Sequence, residues 1–133
     1  MAAFWGCANL EKVTYTNGAG TIGFACFAEC KKLKSVAIPE GISAIDKSCF
    51  ANCKKLKQIN LPSTLKTIGE NGFYGCTGLR TVTVKGRVTK CKIFAFYKVK
   101  KCKIILKTKA AKKSKKVFAK ELKQEGNKKV KIK

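Results

Sequence analysis

Apolar residues return every 23 positions along this chain. Leu10, Leu33, Leu56 and Leu79 fall in one column, and Val13, Val36, Ile59 and Val82 in a second. Tyr15, Ile38, Leu61 and Val84 make a third, and Ile22, Ile45 and Ile68 a fourth. Phe4, Phe27, Phe50 and Phe73 make a fifth column, and Cys7, Cys30, Cys53 and Cys76 a sixth. Columns kept in register over this length mark a repeat protein whose unit is one short coil of a stacked solenoid. A single coil is too small to bury its own apolar side chains. Stacking coil on coil merges them into one continuous core, with stability coming from the interfaces between neighbours.

Within a coil the spacing Leu33-x-x-Val36-x-Ile38 ends in strand-like alternation. Strands at that place in every coil pair as a parallel sheet. Pro39 and Pro62 then end the strand, because proline cannot donate to the ladder. Ile42, Ile45 and Phe50 bring the return limb back onto the core. The expectation is a repeat solenoid of about five 23-residue coils with a short parallel β-sheet on one face.

The first coil lacks the proline, having Thr16 and Asn17 after Tyr15, and its Asn17-Gly18-Ala19-Gly20 reads as a looser turn. Beyond Val84 the register continues through Val88, Cys91, Ala95-Phe96 and Val99, with Cys102 in the Leu column and Ile105 in the Val column. Lys107 falls where Ile38 stood, so the strand register is expected to shift by one. Two readings of the end remain open. Val117-Phe118 and Val130-Lys-Ile132 fit a final degenerate coil, of the atypical kind that shields the end of a solenoid. Alternatively, Ala110–Gln124 forms a basic helix stopped by Gly126 and followed by a frayed end. The chain is accordingly divided into a solenoid, residues 1–106, and a Lys-rich degenerate repeat or basic tail, residues 107–133.

The unit Cys53-Lys-Lys-Leu56-Lys-Gln-Ile59-Asn-Leu61-Pro62, continued by Leu65, Ile68-Gly69, Phe73 and Cys76, resembles the BspA-like leucine-rich repeat family. Asp46 in place of Gly69 one coil later, and Cys49 or Gly72 at the alanine position of that family, are departures that leave the fold reading intact. The resemblance implies an α/β-type leucine-rich repeat solenoid that is not an enzyme and uses no cofactor. It also implies a cell-surface or secreted module that attaches to host or neighbouring-cell proteins.

Charge adds a second theme. The net charge is +23, and residues 85–133 hold twenty Lys/Arg against two Asp/Glu. Such a block points to polyanion contact, a disordered tail or solubility. No apolar run is long enough to span a membrane, and no basic region followed by an apolar stretch stands at the N-terminus. Ala3-Phe4 already occupies a mid-coil position, so the chain is expected to be a fragment with earlier coils or a leader upstream.

The eight cysteines and the absence of histidine decide what chemistry is open. Cys26, Cys30, Cys49 and Cys53 have a spacing that a structural zinc site uses. The columns explain them better, as buried small apolar residues. In-register Cβ atoms of stacked coils sit about 5 Å apart, wider than the roughly 4 Å of a disulfide, so free thiols are expected. Without histidine the common general base is missing, and no catalytic residues are assigned.

Two surfaces carry the binding hypotheses. Lys34, Lys57, Arg80 and Lys103 form one basic column, and Lys32, Lys55 and Lys101 another. As ridges repeating about every 5 Å they suit a polyanion: a glycan, a wall polymer or nucleic acid. Solvated lysines that discourage edge aggregation are the plainer account of the same columns. The outward strand positions Ser35, Ala37, Gln58, Asn60, Thr81 and Thr83 are small and uncharged, and suit a protein partner on an extended face. A structural spacer in a longer surface protein is the third reading. No small-molecule substrate is expected.

Overall fold

A computed structural model describes residues 3–15, 18 and 20–133. The turn expected at Asn17-Gly18-Ala19-Gly20 and the proline-free step at Thr16 and Asn17 therefore lie largely outside the described residues. Alternation of Val, Ile and Leu with small polar residues gives β1 (Lys12–Thr14), β3 (Ser35–Ala37), β5 (Gln58–Leu61) and β7 (Thr81–Val84). Together with β9 (Cys102–Leu106) and β10 (Val130–Ile132) they form a six-stranded parallel sheet in the order β1-β3-β5-β7-β9-β10.

The return limbs also form strands. β2 (Gly20–Ile22), β4 (Ile42–Ile45), β6 (Thr67–Ile68) and β8 (Lys90–Cys91) make a second, four-stranded parallel sheet. The expected single sheet is thus one of two. Four turns carry both strands. In the fifth, helices α1 (Lys109–Lys112) and α2 (Lys115–Gln124) replace the second strand before β10 returns to the first sheet. The helix and the terminal strand are not alternatives, because one segment forms both.

Phe27, Phe50, Phe73 and Phe96 are fully buried and stack coil upon coil, with ring centroids 5.5, 5.6 and 5.5 Å apart. Phe4 extends the stack at one end, 5.3 Å from Phe27, and Phe118 of α2 tilts against Phe96 at the other, 6.1 Å away. The Leu and Val columns pack beside this ladder in one continuous core. Each coil turns at two left-handed positions, one through Ala25, Ser48, Asn71 and Phe94, the other through Gly6, Glu29, Asn52, Gly75 and Lys98. Gly75 has φ +71°, and a Cβ there would collide with the Asn52 side chain of the preceding coil.

Between the fourth and fifth coils the pairing offset falls from 23 to 22. Val82 lies opposite Ile104 and Val84 opposite Leu106, with Thr81 opposite Lys103. Ile105 therefore does not continue the Val column, and Ile104 does. A 23-residue offset would turn Lys107 into the core, at the cost of a desolvated charge. The slip instead leaves Lys107 exposed and puts Ile104 and Leu106 inside.

The last complete coil shows how the stack is closed. In regular coils the N–H groups of Phe27, Phe50 and Phe73 donate to the carbonyls of Cys49, Gly72 and Ala95 one coil on. The N–H of Phe94 donates instead to Glu121 Oε2, 3.1 Å away, and that of Phe96 to Glu125 Oε2, 3.4 Å away. The Glu121 carboxylate projects from α2 and that of Glu125 from the residue that ends it. They stand where the carbonyls of a further coil would be, so backbone donors at the end of the core stay satisfied. Asn127 Nδ2 donates to Phe96 O at 2.9 Å, the role a cysteine thiol has elsewhere. Ser114 Oγ accepts from Val88 N–H at 2.8 Å.

Candidate functional site

The cysteines are part of the scaffold. Cys30, Cys53 and Cys76 each donate a thiol hydrogen bond to the phenylalanine carbonyl of the preceding coil, to Phe4, Phe27 and Phe50 at 3.0, 3.1 and 3.0 Å. All eight thiols are unbridged. Burial pushes Cys76 and Cys102 up to about 12 and raises Cys49 and Cys53 further. Since the thiolate is the reactive form, these groups are inert at neutral pH. Native chain treated with iodoacetamide at pH 8 is expected to lose little more than half-buried Cys7, because burial raises the thiol of Cys91, the other half-buried cysteine, well above its ordinary value. Chain unfolded in guanidinium reacts at all eight thiols. Intact-mass spectrometry reads both. Rapid native labelling of Cys53 or Cys76 would contradict the thiol–carbonyl ladder.

The outer face of the six-stranded sheet presents two rows. Gln58, Thr81, Lys103 and Lys131 lie opposite one another in succession, and so do Ala37, Asn60, Thr83 and Ile105. Ser35, opposite Lys12, belongs to the first row. All the uncharged positions marked from the sequence are therefore on one face, with Ala37, Gln58 and Asn60 exposed and Ser35, Thr81 and Thr83 half-buried. The face changes character along its length: small and polar over β3, β5 and β7, cationic over β9 and β10.

The basic columns are only partly as expected. Lys34, Lys57 and Arg80 are exposed just ahead of their strands, but Lys103 leaves that ridge. The 22-residue offset moves it onto the sheet face, opposite Thr81. Lys32, Lys55 and Lys101 are all exposed, and Lys32 Nζ reaches Asn9 Oδ1 at 3.5 Å. Lys34 pairs with Glu11 at 3.6 Å across solvent, a contact of the surface kind that contributes about 0–1 kcal/mol.

Arg80, Thr81, Lys101 and Lys103 come together with Lys129 and Lys131 around a cleft of about 410 Å³. Lys34, Lys57, Lys32 and Lys55 lie outside it. Lys129 and Lys131 were not marked from the sequence, although the alternation of Val130 and Ile132 already turns their side chains outward. Lys129 also borders a neighbouring cleft of about 530 Å³, with Tyr97, Lys98, Lys100 and Lys128 on its walls. Tyr97 stacks on Tyr74 at 5.8 Å, and Lys98 Nζ lies 5.6 Å over the Tyr74 ring.

The acids of this region are buried, although Glu125 forms part of the wall of the cleft of about 530 Å³. Glu121 and Glu125 are the two Asp/Glu of residues 85–133, and both are buried under α2. Burial first, and then the Glu121 carboxyl beside it, push Glu125 up to about 8, so at neutral pH it is mostly uncharged. The three ion pairs among the described residues all involve residues at or before position 70.

The model of the BspA-type leucine-rich repeat region matches residues 1–124, in six copies. The chain belongs to the BspA-type leucine-rich repeat family. No curated protein and no solved structure matches it. BspA-type repeats are typically non-enzymatic scaffolds for protein binding, and typically belong to surface or secreted proteins. Among the described residues no helix is long and apolar enough to cross a membrane. In this BspA-type chain the six-stranded sheet presents an extended outer face of paired rows.

Proposed function

We propose that this chain is the recognition module of a cell-surface or secreted protein and attaches to proteins of a host or neighbouring cell. In this reading residues 1–106 are the recognising solenoid and residues 107–133 a Lys-rich terminal unit. The observation that carries it is the outer sheet face over β3, β5 and β7. There Ala37, Gln58, Asn60, Thr81 and Thr83 make an accessible, uncharged, paired grid on a rigid core. Residues on such a grid keep fixed spacings, so little conformational entropy is lost when a partner docks.

A second reading, polyanion binding, is favoured by a specific observation. Residues 85–133 hold twenty cations, and both of their carboxylates are buried. The two readings separate on cells. Immobilised chain is expected to retain epithelial cells at both 0.15 and 0.5 M salt, and to lose them when the cells are first treated with protease. Retention that survives protease but vanishes at 0.5 M salt would overturn the protein reading in favour of the polyanion, whose binding is screened by salt.

A further inference from the structure

We propose that the two clefts joined at Lys129 form one binding site for a sulfated glycan chain. The site rests on the polyanion reading above and assigns it a place and a ligand class. Lys103 on β9 and Lys131 on β10 are directly opposite one another, and Lys101 and Lys129, just ahead of those strands, are exposed and line the same cleft. Like charges directly opposite in a sheet destabilise it. No ion pair relieves them: Glu121 is buried in the cap, Glu125 lines the neighbouring cleft but is buried and mostly uncharged at neutral pH, and the ion pairs among the described residues lie elsewhere.

Edge protection accounts for part of this arrangement. β10 is the last strand of its sheet, and lysines there keep other chains from pairing with it. It does not account for Lys103, because β9 is an interior strand, nor for the convergence of Arg80 on the same cleft. Arg80 Nη1 is held by the carbonyls of Thr77 and Leu79, which fixes the guanidinium at the cleft rim. A fixed guanidinium, lysine ammoniums and the Thr81 hydroxyl are donors suited to the oxygens of sulfate esters.

The ligand class follows from what lines the track. Its two parts are of the size that holds small ligands and adjoin at Lys129, which suits a linear chain laid across both. Tyr97 is the single aromatic side chain on the lining, enough to pack one sugar ring. Single-stranded nucleic acid is held by a succession of such platforms, one base after another, and the track has no succession.

The test uses the whole chain and a heparin-derived octasaccharide, followed by titration calorimetry at several salt concentrations. The chain is expected to bind, and K103S/K131S to weaken binding about tenfold and to flatten the log–log salt slope by about two. K103R/K131R is expected to keep the affinity. The control K116S/K120S, on the exposed side of α2, removes the same charge from outside the track and is expected to change binding less than about threefold. Equal losses in the two serine variants would overturn the site and leave only diffuse attraction to the basic surface. A single-stranded DNA oligonucleotide of matched charge binding more tightly than the octasaccharide would overturn the ligand class. No binding of the octasaccharide by the parent chain would overturn the site and the polyanion reading together. Circular dichroism of each variant confirms the fold.

Discussion

Phe73→Ala is expected to lower the stability of the chain by about 3–5 kcal/mol, the range for truncating a fully buried phenylalanine. The ring has no solvent exposure and is stacked on both sides, against Phe50 at 5.6 Å and Phe96 at 5.5 Å. Its loss removes two aromatic contacts at once and leaves a void in the middle of a one-dimensional stack. A solenoid couples only neighbouring coils, so damage at a central interface separates the coils on either side of it. Total stabilities of domains are about 5–15 kcal/mol, so the variant is expected to be close to unfolding at 37 °C. Phe4→Ala removes the same side chain from the open end of the ladder, where the ring is 44% exposed, and is expected to cost far less. Urea unfolding of the two variants beside the parent makes the comparison. Equal shifts in midpoint would contradict the stacked-ladder account of the core.

Raising the pH from 4.5 to 8 is expected to cost the parent chain stability that the variant Glu125→Gln keeps. The Glu125 carboxyl is pushed up from 4.5 to about 8 by burial and by the Glu121 carboxyl next to it. A group whose folded pKa is raised holds its proton more tightly in the native state. Its contribution is therefore fully present below about pH 4.5, is lost as pH rises towards 8, and is constant above that. The loss is on the order of a few kcal/mol for a shift of this direction. Glutamine keeps an oxygen to accept the Phe96 N–H and has no proton to lose. The difference between the two proteins isolates this group from the general repulsion of a chain carrying +23, which also changes with pH. Thermal melts at pH 5 and pH 8.5 suffice. Parallel melts at both pH values would mean that Glu125 is ionised in the cap throughout.

How much of this was legible in the sequence depends on where the 23-residue columns hold. Through Val84 each column maps onto a strand or a buried ladder, because the same residue type returns to the same place in every coil. The second sheet was missed because its strands are short, as at Thr67–Ile68 and Lys90–Cys91, and carry too few alternations to stand out. The register slip at β9 was foreshadowed by Lys107, but its consequence for Lys103 depends on which strand residues are paired. Glu121 and Glu125 gave no sign of their role. In the sequence they read as ordinary charges on a basic helix, and only the unpaired N–H groups of Phe94 and Phe96 explain why both turn inward. The cationic clefts were half-legible: the ridges supplied Arg80, Lys101 and Lys103, while Lys129 and Lys131 reach them only because β10 returns to the sheet after the helices.

Recognition along the outer face of the six-stranded sheet is the central claim, and one comparison addresses it most directly. Retention of epithelial cells by immobilised parent chain is measured beside N60R/T83R and K103S/K131S, at 0.15 and 0.5 M salt. Asn60 and Thr83 are directly opposite on adjacent strands, so two arginines there put bulk and charge into the centre of the uncharged grid without touching the core. The account predicts that N60R/T83R abolishes retention at 0.5 M salt and leaves at 0.15 M only what the cationic clefts hold, while K103S/K131S weakens it mainly at 0.15 M. Undiminished retention by N60R/T83R at both concentrations would show that partners are held somewhere other than this face.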